Sequence, residues 1–176
     1  MANYVCDGAG LSCTFGLAPG SLSVLPSKRI QMGGKEAANI MDFAPMTNIS
    51  DFGNCTSLIN PVVAAATAKN MGVLEPQKCV PVVVAPWMPG NPTVFETSPP
   101  ALTDQCINTC MWMGIIQITN PGQMTVTCEP GPDMSAMIAD LQAQADAASK
   151  EMEDKMDDLV EEAKKEKAEE EAKKKK

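Results

Sequence analysis

The chain has 176 residues, seven cysteines, no histidine and a formal net charge of −8. That length allows one modest domain and an appendage, and the acidic balance argues against a nucleic-acid binder, which needs a basic face for phosphates. Aromatics make up only 4% of the residues, against 14 prolines and 12 glycines. This composition predicts short elements between turns around a thin core of the kind that uses a covalent or metal staple.

The opening MANYVCDGAG has neither a basic n-region nor an apolar h-region, so no Sec signal is expected. The apolar runs PVVAAATA and PVVVAPWMP are too short to cross a bilayer. Cytosolic thiols stay reduced, and seven is an odd number. Metal ligands or small buried hydrophobes therefore fit the cysteines better than a disulfide framework.

Residues 1–133 read as mainly β. A phrase Gly-x-x-(Ser/Thr)-Val recurs as GSLSV at 20–24, GNPTV at 90–94 and GQMTV at 122–126. Its glycine suits a positive-φ turn position, and the residues after it suit a short strand. KEAANIMD closes the first copy at Asp42 and PPALTD closes the second at Asp104. Each copy is a hairpin too small to bury a face alone, so the copies must pack together. One helix interrupts them: NPVVAAATAKNMG, 60–72, offers Asn60 as N-cap, Pro61 at N1 and Gly72 at C′. PWMPGNP after it reads as a proline-stiffened turn.

The composition changes at residue 134. Residues 134–176 hold thirteen acidic and nine basic residues and neither proline nor glycine, which predicts a C-terminal helical extension. Met134, Met137, Ile138, Leu141, Met152, Met156, Leu159 and Val160 form one apolar stripe at roughly helical spacing. Such a helix either stands in solvent on i,i+4 Glu–Lys pairs or docks its stripe on a partner. The final EEEAKKKK is expected to be disordered.

Four cysteines take comparable places in this frame. Cys13, Cys79 and Cys110 precede the three glycines that open the repeats, and Cys55 precedes the capped helix. Brought together by the hairpins, they could form a closed four-thiolate site of the kind zinc favours. The spacings are long and lack a Cys-x-x-Cys knuckle, so buried, unreactive thiols remain the other reading. Cys106, four residues before Cys110, is an alternative ligand; Cys6 and Cys128 read as packing residues or a facultative disulfide. No histidine stands beside any cysteine as a base, and Asp7, Asp42, Asp51 and Asp104 fall at turns, where Asp supports the backbone. Gly33-Gly34 lacks the Lys-(Ser/Thr) of a phosphate loop. The chain is not expected to be an enzyme.

These phrases carry a resemblance. GSLSV…GGKEAANIMD, GNPTV…ALTD and GQMTV resemble the PAAR-repeat phrase Gly-Ser-Pro-Thr-Val…Gly-Lys-Pro-Ala-Ala-Arg-x-Gly-Asp, with Gly34 to Ala38 and Asp42 on its core. LSCTFGLAPGSLSVLPS, FGNCTSLINPVVAAATA, APWMPGNPTV and ITNPGQ are similar to a PAAR-like branch found in contractile injection systems, notably type VI secretion of Bacteroidetes. The resemblance covers residues 1 to about 130. It implies a small cone-shaped fold that caps and sharpens a trimeric VgrG-like spike, with a zinc ion held near the point. Carried over, the family's ligand positions fall near Cys13, Cys55 and Cys110, with Cys79 completing four; every family histidine is replaced by cysteine. It further implies assembly in the cytoplasm as a monomer on a trimer, ejection with the spike, mechanical puncture of a target membrane and carriage of effectors. The C-terminal helix would recruit cargo or pack against the tube or baseplate. The competing expectation is a cytosolic thiol-rich zinc-binding or redox-switch protein, with exposed, acidic thiols.

Overall fold

A computed structural model describes residues 2–26, 30–90, 99–128 and 134–174, with side chains of the last helix through residue 165. The strands are short: β1 (Ala2–Asn3), β2 (Ala9–Cys13), β3 (Gly20–Leu22), β4 (Gln31–Met32), β5 (Lys35–Glu36) and β6 (Asn54–Cys55) precede helix α1 (Pro61–Lys69). Then come β7 (Gln77–Lys78), β8 (Ile107–Thr109), β9 (Ile115–Asn120), β10 (Thr127–Cys128) and the long helix α2 (Ser135–Lys174). The fold is thus mainly small antiparallel sheets with a C-terminal helix, as the composition predicts. The largest sheet has the order β3-β2-β9-β8, and three two-stranded pairs, β1-β10, β4-β5 and β6-β7, surround it.

One end of the body is organised by three chain segments centred on Val5, Ala38 and Leu102. Val5 N–H donates to Leu102 O (3.0 Å), Leu102 N–H to Ala38 O (3.0 Å) and Ala38 N–H to Val5 O (2.9 Å). Two residues further on, Asp7 N–H donates to Glu36 O (2.9 Å), Ile40 N–H to Pro100 O (3.1 Å) and Asp104 N–H to Asn3 O (3.0 Å). Each donor in this second set lies two residues after a central residue, and each acceptor two before the next. The bridges Cys6–Ala37, Asn39–Ala101 and Thr103–Tyr4 follow the same order, each joining the residue one after a centre to the residue one before the next. Three segments of one chain are therefore related by a pseudo-threefold axis. Its central side chains are buried, Val5 and Leu102 at 0% exposure and Ala38 at 3%.

This symmetry does not lie where the repeated phrase places it. Only the first copy supplies a named strand of three residues, β3; Gly122 of the third opens a turn, and residues 91–98 of the second lie outside the described residues. Of the three glycines only Gly122 has positive φ, at 79°. Gly20 and Gly90 are needed for space instead. A Cβ on Gly20 would stand 2.7 Å from the Phe52 ring, and one on Gly90 would stand 2.8 Å from Pro100 Cβ. Asp42 and Asp104 are not equivalent either, since Asp104 corresponds to Ile40 and Asp7.

Helix α1 starts as its sequence predicts, with the Asn60 side chain accepting from Val62 N–H and Pro61 in the first turn. It ends earlier than expected: Asn70 is the C-cap, and Met71 and Gly72 both take left-handed conformations, with φ of 58° and 85°. Helix α2 docks on the body. Ala145 and Met156 are buried, Met152 packs against the main core, and Met134, Ile138, Leu141 and Val160 are half-buried along the same line. Met137 and Leu159 point outward. The stripe is thus narrower than the apolar residues alone suggest, and alanine fills its waist. The helix continues to Lys174 through most of the segment expected to be disordered.

Candidate functional site

The strand register sends three chain passages from the threefold end to the opposite end. β2 leaves Ala9 and reaches Cys13, which pairs with Ile116 near the start of β9. β8 ends at Thr109, opposite Ile115, so the β8–β9 turn holding Cys110 lies at the same end as the β2–β3 loop. The residue 14–19 loop then pins the third passage: Gly16 bridges Cys55, Leu17 N–H donates to Asn54 O (3.0 Å), and Cys79 N–H donates to Gly53 O (2.8 Å).

As a result Cys13, Cys55, Cys79 and Cys110 line one small cavity of about 10 Å3, together with Phe15, Phe52, Pro81, Trp112 and two glycines. That is about one water-sized sphere, lined by apolar groups and sulfur. The space depends on the glycines. A Cβ on Gly114 would stand 2.6 Å from Cys13 Sγ, and one on Gly16 would stand 2.5 Å from Phe52 Cβ. The β8–β9 turn is itself tight: Cys110 N–H donates to Gly114 O (2.7 Å), and Met113 is left-handed with φ of 62°.

Cys55, Cys79 and Cys110 are buried and Cys13 half-buried, and main-chain donors approach Cys13, Cys79 and Cys110. Burial pushes the Cys13 thiol up from 9.0 to about 11; a main-chain N–H at Phe15 opposes the rise, and the thiols of Cys110, Cys79 and Cys55 add to it. Burial also raises Cys79, opposed by a main-chain bond at Phe52, and Cys110, opposed by those at Val82 and Trp112. The Val82 N–H lies 3.4 Å from Cys110 Sγ. These amides stabilise sulfur as thiolate, while the thiols disfavour one another's ionisation. A cation among them would reverse the second effect and keep the first. In the present geometry, no group of three or more His, Cys, Asp or Glu among the described residues forms a ready metal-holding set. The four thiols share a cavity without being drawn onto one centre.

The other cysteines stand elsewhere. Cys106 is buried away from this cavity, with Sγ donating to Pro89 O (2.7 Å) and in contact with Thr103 Oγ1 (3.3 Å). No disulfide joins Cys6 and Cys128, and Cys6 Sγ donates to Met32 O (3.4 Å). The four aspartates support the backbone as expected, accepting N–H from Val24 (Asp7), Asn39 (Asp42), Gly53 (Asp51) and Asn3 (Asp104).

A sequence signal for this end lies in its long uncharged runs, bounded by Asp51 and Lys78. The four cavity cysteines fall one in each of the uncharged runs 8–27, 52–68, 79–95 and 105–128. The described surface near them exposes Leu17, Val80, Val84 and Met111, each more than half exposed, while Lys78 on β7 and Asp51, which helps raise the Cys79 thiol, bring charge to its edge. The loops satisfy their polar groups internally, with Trp112 Nε1–H on Val80 O (3.2 Å), Ser57 Oγ–H on Trp112 O (2.7 Å) and Met111 N–H on Val82 O (2.8 Å). At the threefold end stand Asp7, Lys35, Glu36 and Asp104.

Among the described residues, no helix is long and apolar enough to cross a membrane. Neither the curated proteins nor the solved structures give a match to this chain. Residues 5–123 match the family described as a domain of unknown function, DUF4280. The matched segment begins at the first threefold centre and ends beyond the fourth cavity cysteine, so both organised ends lie within it. The chain belongs to the DUF4280 family.

Proposed function

We propose that this protein is a PAAR-like cap for the trimeric spike of a contractile injection system, with its threefold end on the spike and its cysteine end leading. The observation that carries this reading is the ring of main-chain hydrogen bonds around Val5, Ala38 and Leu102. A single chain meeting a trimer on its axis must present three like edges, and an enzyme or a thiol switch has no such need. Pairing at exposed strand edges is the natural mode for extending a β-helical trimer. The far end, sparsely charged and with several exposed aliphatic side chains, suits a point that meets a target membrane first. Assembly in the cytoplasm, ejection with the spike and carriage of effectors follow from this role.

In this reading Cys13, Cys55, Cys79 and Cys110 hold one structural zinc ion. The donor set is the soft sulfur set that zinc prefers, the cavity has room for one ion, and the surrounding N–H groups favour thiolates. Binding would draw the four sulfurs inward and tie together loops that otherwise share little secondary structure. The competing thiol-switch reading requires exposed thiols of lowered pKa. Cys55, Cys79 and Cys110 are buried, and burial raises Cys13, Cys79 and Cys110.

The test is a pull-down of the full chain against a trimeric VgrG-like spike, with zinc measured on the same sample. A stable complex carrying about one zinc per chain is expected. Rapidly alkylated thiols and no complex would overturn the proposal in favour of the thiol switch.

A further inference from the structure

We infer that the junction of α1 and α2 is a docking surface for a basic amphipathic helix of a partner protein. The surface begins where α1 ends. Met71, Val73 and Leu74 are 53%, 64% and 46% exposed, and Val62 on α1 is 59% exposed. Helix α2 borders the same place: Val160 Cγ2 would lie 3.5 Å from a Cβ on Gly72, and Asp157 Oδ1 would lie 3.9 Å from it. Beside this patch an open groove of about 550 Å3 is lined by Val62, Ala65, Ala66, Lys69, Glu75 and Gln77.

These apolar side chains face outward on a fixed loop. Gly72 N–H donates to Thr67 O (3.0 Å), Val73 N–H to Asn70 O (3.1 Å) and Glu75 N–H to Thr67 Oγ1 (3.1 Å), while Asn70 Nδ2 donates to Val73 O (3.2 Å). A partner would therefore pay little to order the loop. Met71, Val73 and Leu74, exposed together on one short turn beside the groove, mark an interaction site rather than scattered surface residues.

Charge selects the occupant. Glu153, Asp157 and Glu161, all exposed, follow one another at i,i+4 along the flank of α2 that carries Asp157 to Gly72, and Glu161 pairs with Lys165 at 3.5 Å. An apolar strip beside a carboxylate row is complementary to a helix with one apolar face and lysines or arginines along its flank. An anionic membrane surface would be repelled. A two-fold contact with a second copy would bring the same carboxylates face to face. The inference does not depend on the spike-tip reading.

The test uses the full chain and a synthetic helix of about 18 residues, five turns long, with leucines on one face and lysines on the other. A scrambled peptide of the same composition and a patterned peptide with glutamate for lysine are the controls. The patterned lysine peptide is expected to bind about tenfold more tightly than either control, with amide shifts confined to residues 62–75 and 151–162. Leu74→Asp and Asp157→Lys should each weaken it severalfold, with the circular dichroism unchanged. Equal binding of the scrambled peptide, or shifts elsewhere, would overturn the inference. So would a concentration-dependent dimer abolished by Leu74→Asp, which would give the surface to a second copy.

Discussion

The two ends of the body are held together by different means. At the threefold end, three segments are joined by six main-chain hydrogen bonds around Val5, Ala38 and Leu102, and the side chains need only be small or apolar enough to fit. At the cysteine end, three passages of the chain turn back in loops, and what they share is a cavity lined by four thiols, three aromatic rings, a proline and two glycines. One end is specified by backbone geometry, with buried side chains that need only fill the space on its axis. The other is specified by particular atoms, and a single atom exchanged there should be felt throughout the loops.

The largest effect should come from breaking the cysteine end. Cys110→Ser is expected to abolish zinc loading and cost about 3–4 kcal/mol of stability, whereas Cys6→Ser and Cys106→Ser should retain the metal. Metal analysis paired with thermal unfolding checks this. Equal losses from Cys106→Ser would return the four cavity thiols to plain packing.

Next in size is the threefold end. Leu102→Ala should cost about 2–5 kcal/mol by opening a cavity at a fully buried site. It should weaken spike binding while leaving the metal content unchanged. Denaturant unfolding and metal content on the same variant separate the two ends; loss of the metal as well would mean that they fold as one unit.

The pH dependence of the metal-free protein sharpens the comparison. Burial raises Cys13 from 9.0 to about 11, so the folded state holds this proton where the unfolded state has released it. The associated stability is fully present below pH 9 and is lost as pH rises through about 11, by about 2–3 kcal/mol in total. With zinc bound the thiolate is already formed, and this loss should disappear. Unfolding curves from pH 8 to about 11, with and without chelator, decide it.

The smallest effect is a gain. Met113 holds a left-handed conformation in the β8–β9 turn, where a side chain costs roughly 1 kcal/mol. Met113→Gly should recover about 0.5 kcal/mol after the added entropy of the unfolded chain, read as a small rise in melting temperature. A fall would show that the Met113 side chain contributes packing that its backbone strain conceals.

The class of fold was legible in the sequence because prolines, glycines and uncharged runs punctuate it at short intervals, and α1 announced its start through Asn60 and Pro61. Cys13, Cys55, Cys79 and Cys110 do share one cavity, but they meet because β2, the β6–β7 pair and the β8–β9 turn end together, not because of the repeated glycines. The threefold axis was not legible. Its segments, NYVCD, EAANI and PALTD, share main-chain pairing rather than residue types, so matching the repeated glycines gave the wrong equivalences. The docking of α2 was hidden for a similar reason: its waist is Ala145, too small to register as an apolar stripe, and its body-side partners come from distant parts of the chain.

Native mass spectrometry of the complex with a VgrG-like spike decides whether the proposed cap sets its pseudo-threefold end on a trimer. One chain per spike trimer is expected, with Leu102→Ala reducing the complex. Three chains per trimer, or no complex from a folded, zinc-loaded protein, would contradict it.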